Sequence, residues 1–202
     1  KKSEPIRDWY SPEGLEKLYE RDIDEVNQRL MTSSYDYLTE SSGLSLYDYQ
    51  INAIKAIEQK IINGGDDKRA LLVMATGTGK TRTAIGLAYR LIKSNRFKRI
   101  LFLTDRRLLA EQAFGDFKDK RVEDFNTFTE IYKVSSLKDV LPDAEARLHF
   151  ATVQGLVRRL FYNNDENEKS LSIDSYDCII VDEAHRGYNL DRELDDDDLS
   201  FR

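Results

Sequence analysis

A chain of 202 residues and 23.5 kDa holds one sizeable domain with an appendage, not two domains with separate cores. Hydrophobic residues make up 40% and charged residues 34%, with 10 Gly and 3 Pro, which excludes disordered and fibrous classes, and no apolar run approaches the roughly 18 residues of a membrane span. The net charge of -6 is concentrated at the two ends, whereas Lys80 to Arg107 carries nine basic side chains against the single acid Asp105, a stretch that either faces phosphate or forms a solvated basic surface.

Ser11-Pro12 is a helix start, and Leu15, Leu18, Tyr19, Val26 and Leu30 follow at helical spacing, so residues 1–43 read as a helical lead-in or linker. After Gly43, the stripe Gln50, Ala53, Ile54, Ile57 and Ile61 predicts a helix that ends at Asn63-Gly64-Gly65. Its Glu58-Gln59-Lys60 stretch reads as solvated helix surface. Short apolar runs at Arg69 to Met74, Arg99 to Thr104, His149 to Val153 and Tyr176 to Asp182 predict parallel strands covered on both faces. Helices are expected between them at Thr81 to Lys93 and Leu108 to Phe117, which gives repeated βαβ units. A further strand is expected at Glu130 to Val134. Cys178 is the one cysteine, and with His149 and His185 the only histidines, neither an intramolecular disulfide nor a Cys/His zinc cluster can form. The Lys-Lys-Ser start is not a signal peptide, and a reducing, cytoplasmic compartment fits this usage.

Two motifs carry chemistry. Thr76-Gly77-Thr78-Gly79-Lys80-Thr81 follows the first expected strand and opens a helix, the context in which glycines allow backbone N–H groups to converge on phosphates. Lys80 would reach the β- and γ-phosphates, and the Thr81 hydroxyl would ligate Mg²⁺. Met74 stands where the general pattern has its first glycine. At the carboxyl end of the last strand lie Asp182-Glu183-Ala184-His185, where open α/β sheets bind ligands. Asp182 suits Mg²⁺ and Glu183 suits the deprotonation of an attacking water.

Together these residues make 44–190 resemble the first RecA-like lobe of a superfamily 2, DEAH-type helicase or translocase. Leu46-Tyr47-Asp48-Tyr49-Gln50 resembles the Gln motif, which implies that Gln50 reads adenine and that the nucleotide is ATP, with Tyr47 in place of the usual arginine. Thr104-Asp105-Arg106-Arg107 and Ala151-Thr152-Val153-Gln154 resemble segments that touch the nucleic-acid backbone, which implies such contacts for Thr104, Arg106, Arg107, Thr152 and Gln154; His185 would couple the two activities. The run Asp182 to Glu193, with Thr104 to Arg106, is most similar to the motor subunit of type I restriction enzymes. That resemblance implies an ATP-driven translocase of double-stranded DNA, with methyltransferase and specificity subunits as partners. The expected fold is α/β, a RecA-like (P-loop) domain over 44–202 with a mainly parallel sheet covered by helices, ending after the DEAH motif without a second lobe or nuclease. Alternatives are a lobe of another DEAH-type helicase acting on RNA or in DNA repair, and an ATP-binding switch that does not translocate.

Overall fold

The computed structural model describes residues 22–65, 67–136, 143–161, 171 and 175–184. The chain divides into two compact units, one formed by 22–98 with 112–133, the other, among the described residues, by 99–111 with 134–184. The Ser11-Pro12 helix start lies outside the described residues.

In the first unit, helix α1 (Ile23–Thr32) begins where the Asp22 carboxylate accepts the backbone N–H groups of Asp24 and Glu25 at 3.1 and 3.0 Å, donors that a helix start otherwise leaves orphaned. Val26 and Leu30, four residues apart, form its buried face. A single turn, α2 (Asp36–Thr39), adds Leu38. Helix α3 (Asp48–Asn63) buries Ile51, Ile54 and Ile61 and, unusually, Gln50 and Glu58 on the same side. Helix α4 (Lys80–Lys93) buries Ile85, Ala88, Leu91 and Ile92. Gly86 lets this helix approach closely, since a Cβ there would come within 3.1 to 3.4 Å of Leu46, Ile54 and Leu44.

Glu58 corrects the reading of Glu58 to Lys60 as solvated surface. Its carboxylate is buried against Arg90 of α4, at 2.6 Å from Nε and 3.2 Å from an Nη. Arg90 also donates to the carbonyls of Leu30, Ser33 and Ser34 and to the Tyr37 hydroxyl, and its guanidinium lies 3.6 Å from the Tyr35 ring centroid. Tyr35 in turn donates to Glu58. Burial pushes the Tyr37 phenol up to about 12, against the pull of the Arg90 charge. One guanidinium thus ties α1, the following turn and α3 to the helix that follows the glycine-rich segment 77–79.

Helix α5 (Arg107–Asp119) leads into a small antiparallel ladder of β2 (Arg121–Glu123) and β3 (Asn126–Thr127). The strand expected at Glu130 to Val134 is instead the helical turn α6 (Phe128–Ile131) followed by β4 (Val134–Ser135). The Glu130 carboxylate accepts the Thr127 N–H at 2.7 Å, and this Thr-x-x-Glu box starts a helix in spite of the apolar run behind it.

The second unit holds a four-stranded parallel sheet of β1 (Ile100–Thr104), β4, β5 (Leu148–Thr152) and β6 (Cys178–Val181), in the order β4-β5-β1-β6, with α7 (Val153–Phe161) after β5. This is the expected α/β architecture. Every residue of β1 and β5 is buried, as parallel strands covered on both faces must be; β6 lies at the edge of the sheet, with Ile179 and Val181 exposed. Register pairs Ile100 with Leu148 and Cys178, and Thr104 with Thr152. At the other end Arg99 gathers the carbonyls of Ala146, Ser175, Asp143 and Ala144, and its N–H donates to Asp177 at 2.9 Å.

One expected strand is not formed. Residues 69–74 have no ladder partner among the described residues, and Leu71 and Val73 are 80% and 84% exposed. Apolar, β-branched residues favour a strand only when neighbours pair with it, and here the segment starts in a local turn in which Asp67 accepts both the N–H and the Nε of Arg69. Among the described residues, no helix is long and apolar enough to cross a membrane.

Candidate functional site

Residues 76–79 lead directly into α4 at Lys80. Gly77 and Gly79 have φ of 79° and 81°, the left-handed region that side chains disfavour. A Cβ on Gly79 would lie 2.6 Å from Gln50 Nε2, whereas one on Gly77 would meet nothing within 4 Å. Positive φ therefore favours glycine at both positions, and at 79 a side chain would also press on the Gln50 amide, whereas space is open beside 77. Thr78 closes the turn, its hydroxyl donating to the Ala75 carbonyl at 2.6 Å. Gly79 is the N-cap of a 14-residue helix and has no side chain with which to cap it, and the N-terminal end of such a helix carries partial positive charge. Lys80 and Thr81 are the first two residues of that helix, each partly exposed. An anion fits this arrangement on the chemistry of the donors alone.

The loop is braced from α3. Gln50 Nε2 donates to Thr83 Oγ1 at 3.1 Å, to the Gly79 carbonyl at 3.2 Å and toward that of Thr78 at 3.4 Å, while its Oε1 accepts the Tyr47 N–H at 2.9 Å. Because one end meets a backbone donor and the other meets carbonyls, the network fixes which way the amide points. Gln50 is 1% exposed. Tyr49 donates to the Thr78 carbonyl at 2.8 Å, and its ring stacks on that of Tyr47 at 5.9 Å and 13°. The hydrogen-bonded bracing by Gln50 and the paired tyrosines were not foreseen from the sequence; the spacing Tyr47-x-Tyr49-Gln50 ahead of a glycine-rich loop is the only signal that could have suggested them.

In the sheet unit the expected residues gather at the carboxyl ends of the strands. Asp182 and Glu183 follow β6; the Asp182 N–H donates to the Leu103 carbonyl at 2.9 Å and the Glu183 N–H to the Asp182 carboxylate at 3.0 Å. Glu183 has φ of 53°, a left-handed conformation costing a non-glycine residue about 1–2 kcal/mol. Such strain is held where surrounding bonds over-determine it. Thr104 and Thr152 are register partners and both buried; Thr104 donates to the Arg106 carbonyl at 3.1 Å, and Thr152 accepts the Gly155 N–H at 3.1 Å, starting α7. Their hydroxyls are used locally. Arg107 pairs with Glu111 at 2.9 Å, whereas Arg106 is exposed and reaches Asp105 only at 3.8 Å. Gln154 is partly exposed on α7. His185 lies outside the described residues.

Among the described residues, no group of three or more His, Cys, Asp and Glu side chains could hold a metal ion.

Comparison with known proteins agrees with this geometry. Residues 43–193 match the family described as type III restriction enzyme, res subunit. The chain is 42% identical over 203 aligned residues to the type I restriction enzyme EcoKI endonuclease subunit of Escherichia coli K12, covering 99% of this chain and 16% of that protein. It is 38% identical to the EcoAI endonuclease subunit of Escherichia coli over 79% of this chain and 18% of the relative, and 26% identical to the SsaAORF53P endonuclease subunit of Staphylococcus saprophyticus over 77% and 16%. The chain thus spans about a sixth of the length of these curated relatives. With a glycine-rich loop opening α4, acids at the end of a parallel strand, and a match over most of its length, the chain belongs to the helicase-like family of restriction enzyme res subunits.

Proposed function

We propose that this chain is the ATP-binding lobe of a double-stranded DNA translocase in a type I restriction complex. The observation that carries the reading is the loop at 76–81, with Gly77 and Gly79 left-handed where it opens the 14-residue helix α4. The loop and Lys80 hold the triphosphate, Thr81 and Asp182 supply oxygens to Mg²⁺, and Glu183 orients and deprotonates the water that attacks the γ-phosphate. Mg²⁺ would neutralise charge developing on the phosphates. The DNA backbone would run past the strand ends that carry Thr104, Arg106, Arg107, Thr152 and Gln154, with the exposed Arg106 and the partly exposed Arg107 and Gln154 as the side chains in reach, and His185 would link the two activities. The relatives are named as type I restriction endonuclease subunits, which supports methyltransferase and specificity subunits as partners and a cytoplasmic location.

The loop and the carboxylates belong to different units, so each assignment has its own test. Lys80→Ala should abolish MgATP binding in a fluorescent-analogue titration; undiminished affinity would refute the phosphate loop. Glu183→Gln should keep MgATP affinity and lower turnover of the intact motor by roughly 10²–10⁴-fold. The lobe alone should hydrolyse ATP poorly, since an arginine finger supplied elsewhere is worth about 10³–10⁵ in rate. For the intact protein, displacement of a third strand from an unbroken duplex is the expected outcome, and obligatory release of single strands would favour a strand-separating helicase.

A further inference from the structure

We infer that Tyr49 is a positioning residue for the phosphate loop: its hydroxyl holds the Thr78 carbonyl and so aims the Gly79 N–H at the phosphates. Tyr49 acts in this way only if the loop at 76–81 holds phosphate, the reading on which the inference rests. Two peptides lead into α4, and they are held differently. The Gly79 carbonyl accepts the Thr83 N–H at 3.0 Å and the Thr83 hydroxyl at 3.1 Å, so it points along the helix. Because a trans peptide sets C=O and N–H in opposite directions, the Lys80 N–H of that peptide points out of the helix end. The 78–79 peptide lies one step outside the helical ladder. Its carbonyl accepts the Tyr49 hydroxyl at 2.8 Å, with Gln50 Nε2 farther off at 3.4 Å.

Residue 79 does not fix that peptide by itself. Rotating the 78–79 peptide changes ψ at Thr78 and φ at Gly79, and glycine adopts φ of either sign about equally readily. With the Thr78 carbonyl turned to Tyr49, the Gly79 N–H points the opposite way, away from α3. Gly79 is left-handed, with φ 81° and ψ 37°, and Lys80 behind it is helical, a succession that gathers neighbouring N–H groups into an anion-binding concavity. A flipped peptide would instead present a carbonyl oxygen there, setting partial negative charge against the phosphates. Tyr49 is placed to prevent this, since it lies in the first turn of α3 and its ring stacks on that of Tyr47 at 5.9 Å and 13°. Its side of the bond is 49% exposed, so the hydroxyl competes with water and biases the peptide several-fold without locking it.

The test is equilibrium binding of MgATP and of Mg²⁺–tripolyphosphate, which carries no base, to the intact protein, compared among the parent, Tyr49→Phe and Lys80→Ala. Tyr49→Phe keeps the ring and its stacking and removes only the hydroxyl. It should weaken both ligands by the same factor, about three- to tenfold. In steady state the loss should appear in KM for ATP and not in kcat, because the Gly79 N–H holds phosphate in ground and transition states alike. Unchanged tripolyphosphate affinity in Tyr49→Phe overturns the positioning role, whether or not ATP binding falls, and so does a loss confined to kcat. Tripolyphosphate binding that survives Lys80→Ala instead overturns the phosphate-loop reading, which tells the two failures apart.

Discussion

Removing the Arg90 guanidinium should cost more than any other single truncation in the helical unit. Arg90→Met strips the buried Glu58 carboxylate of its ion partner and the carbonyls of Leu30, Ser33 and Ser34 of a donor. Breaking a buried pair on one side costs about 3–5 kcal/mol, and each carbonyl left dry adds about 1–3 kcal/mol; because the groups share one network these do not sum, and about 4–6 kcal/mol is the expected total. The Tyr35 hydroxyl, which still donates to Glu58, limits the loss. With a urea slope of about 2 kcal/mol per molar, the midpoint should fall by about 2–3 M. Arg90→Met combined with Glu58→Leu removes both charges and should recover much of that, since a buried pair is often replaceable by apolar residues of similar volume. Arg90→Lys should fall between, because an ammonium cannot span Glu58 and the carbonyls or lie flat on Tyr35. The assay is urea unfolding of parent, single and double variants as a mutant cycle. A loss below about 1 kcal/mol for Arg90→Met, or a double variant no more stable than the single, would refute this account.

Gln50→Ala should remove the donor to Thr83 Oγ1 and one of three to the Gly79 carbonyl, which keeps the Thr83 N–H and hydroxyl, lowering stability by about 1 kcal/mol and weakening MgATP in the fluorescent-analogue titration. Burial alone would raise the Glu123 carboxyl, but hydrogen bonds from Lys93 and Tyr89 outweigh it and hold Glu123 below its ordinary 4.5. A depressed acid stabilises the fold above its unfolded pKa and loses that contribution as pH falls through the folded value. Thermal melts should therefore decline below about pH 4.5, less steeply in Glu123→Gln; identical acid limbs would contradict it. For DNA, Arg106→Ala should reduce the salt slope of duplex binding by about 0.9, whereas Arg107→Ala, whose guanidinium pairs with Glu111, should change it less; equal effects would argue against the exposed Arg106 as the main phosphate contact.

How far the sequence foretold the structure depended on what held each element. Strands β1 and β5 and helices α3 and α4 fall within a residue or two of their expected bounds, because runs such as Leu101-Phe102-Leu103 and stripes such as Ile54 and Ile61 encode burial directly. The segment 69–74 has an equally strong apolar run and no ladder, since pairing depends on a partner that local composition does not specify. At Glu130 the opposite occurred, where one carboxylate bond to Thr127 outweighed the apolar run behind it. Glu58 was misjudged because a Glu-Gln-Lys triplet looks solvated until Arg90, 32 residues away, closes on it.

The candidate site shows the same division between local and distant causes. The glycines at 77 and 79 announce positive φ in their own chemistry, so the loop was legible, and so were acids at the end of an apolar strand. Two of its features had no such signal. Glu183 adopts a left-handed backbone that its residue type disfavours, a conformation dictated by its neighbours and not by itself. Gln50, the expected base reader, also bonds to Tyr47, Thr83 and the loop carbonyls. These bonds depend on the Cβ-free Gly79, whose absent side chain leaves room for Nε2. The glycine that bends the loop therefore also admits its brace. Loop geometry and Gln50 position are consequently one arrangement: Gly79→Ala, which would press a methyl to 2.6 Å from Nε2 at a positive φ, should release the glutamine and the phosphates together.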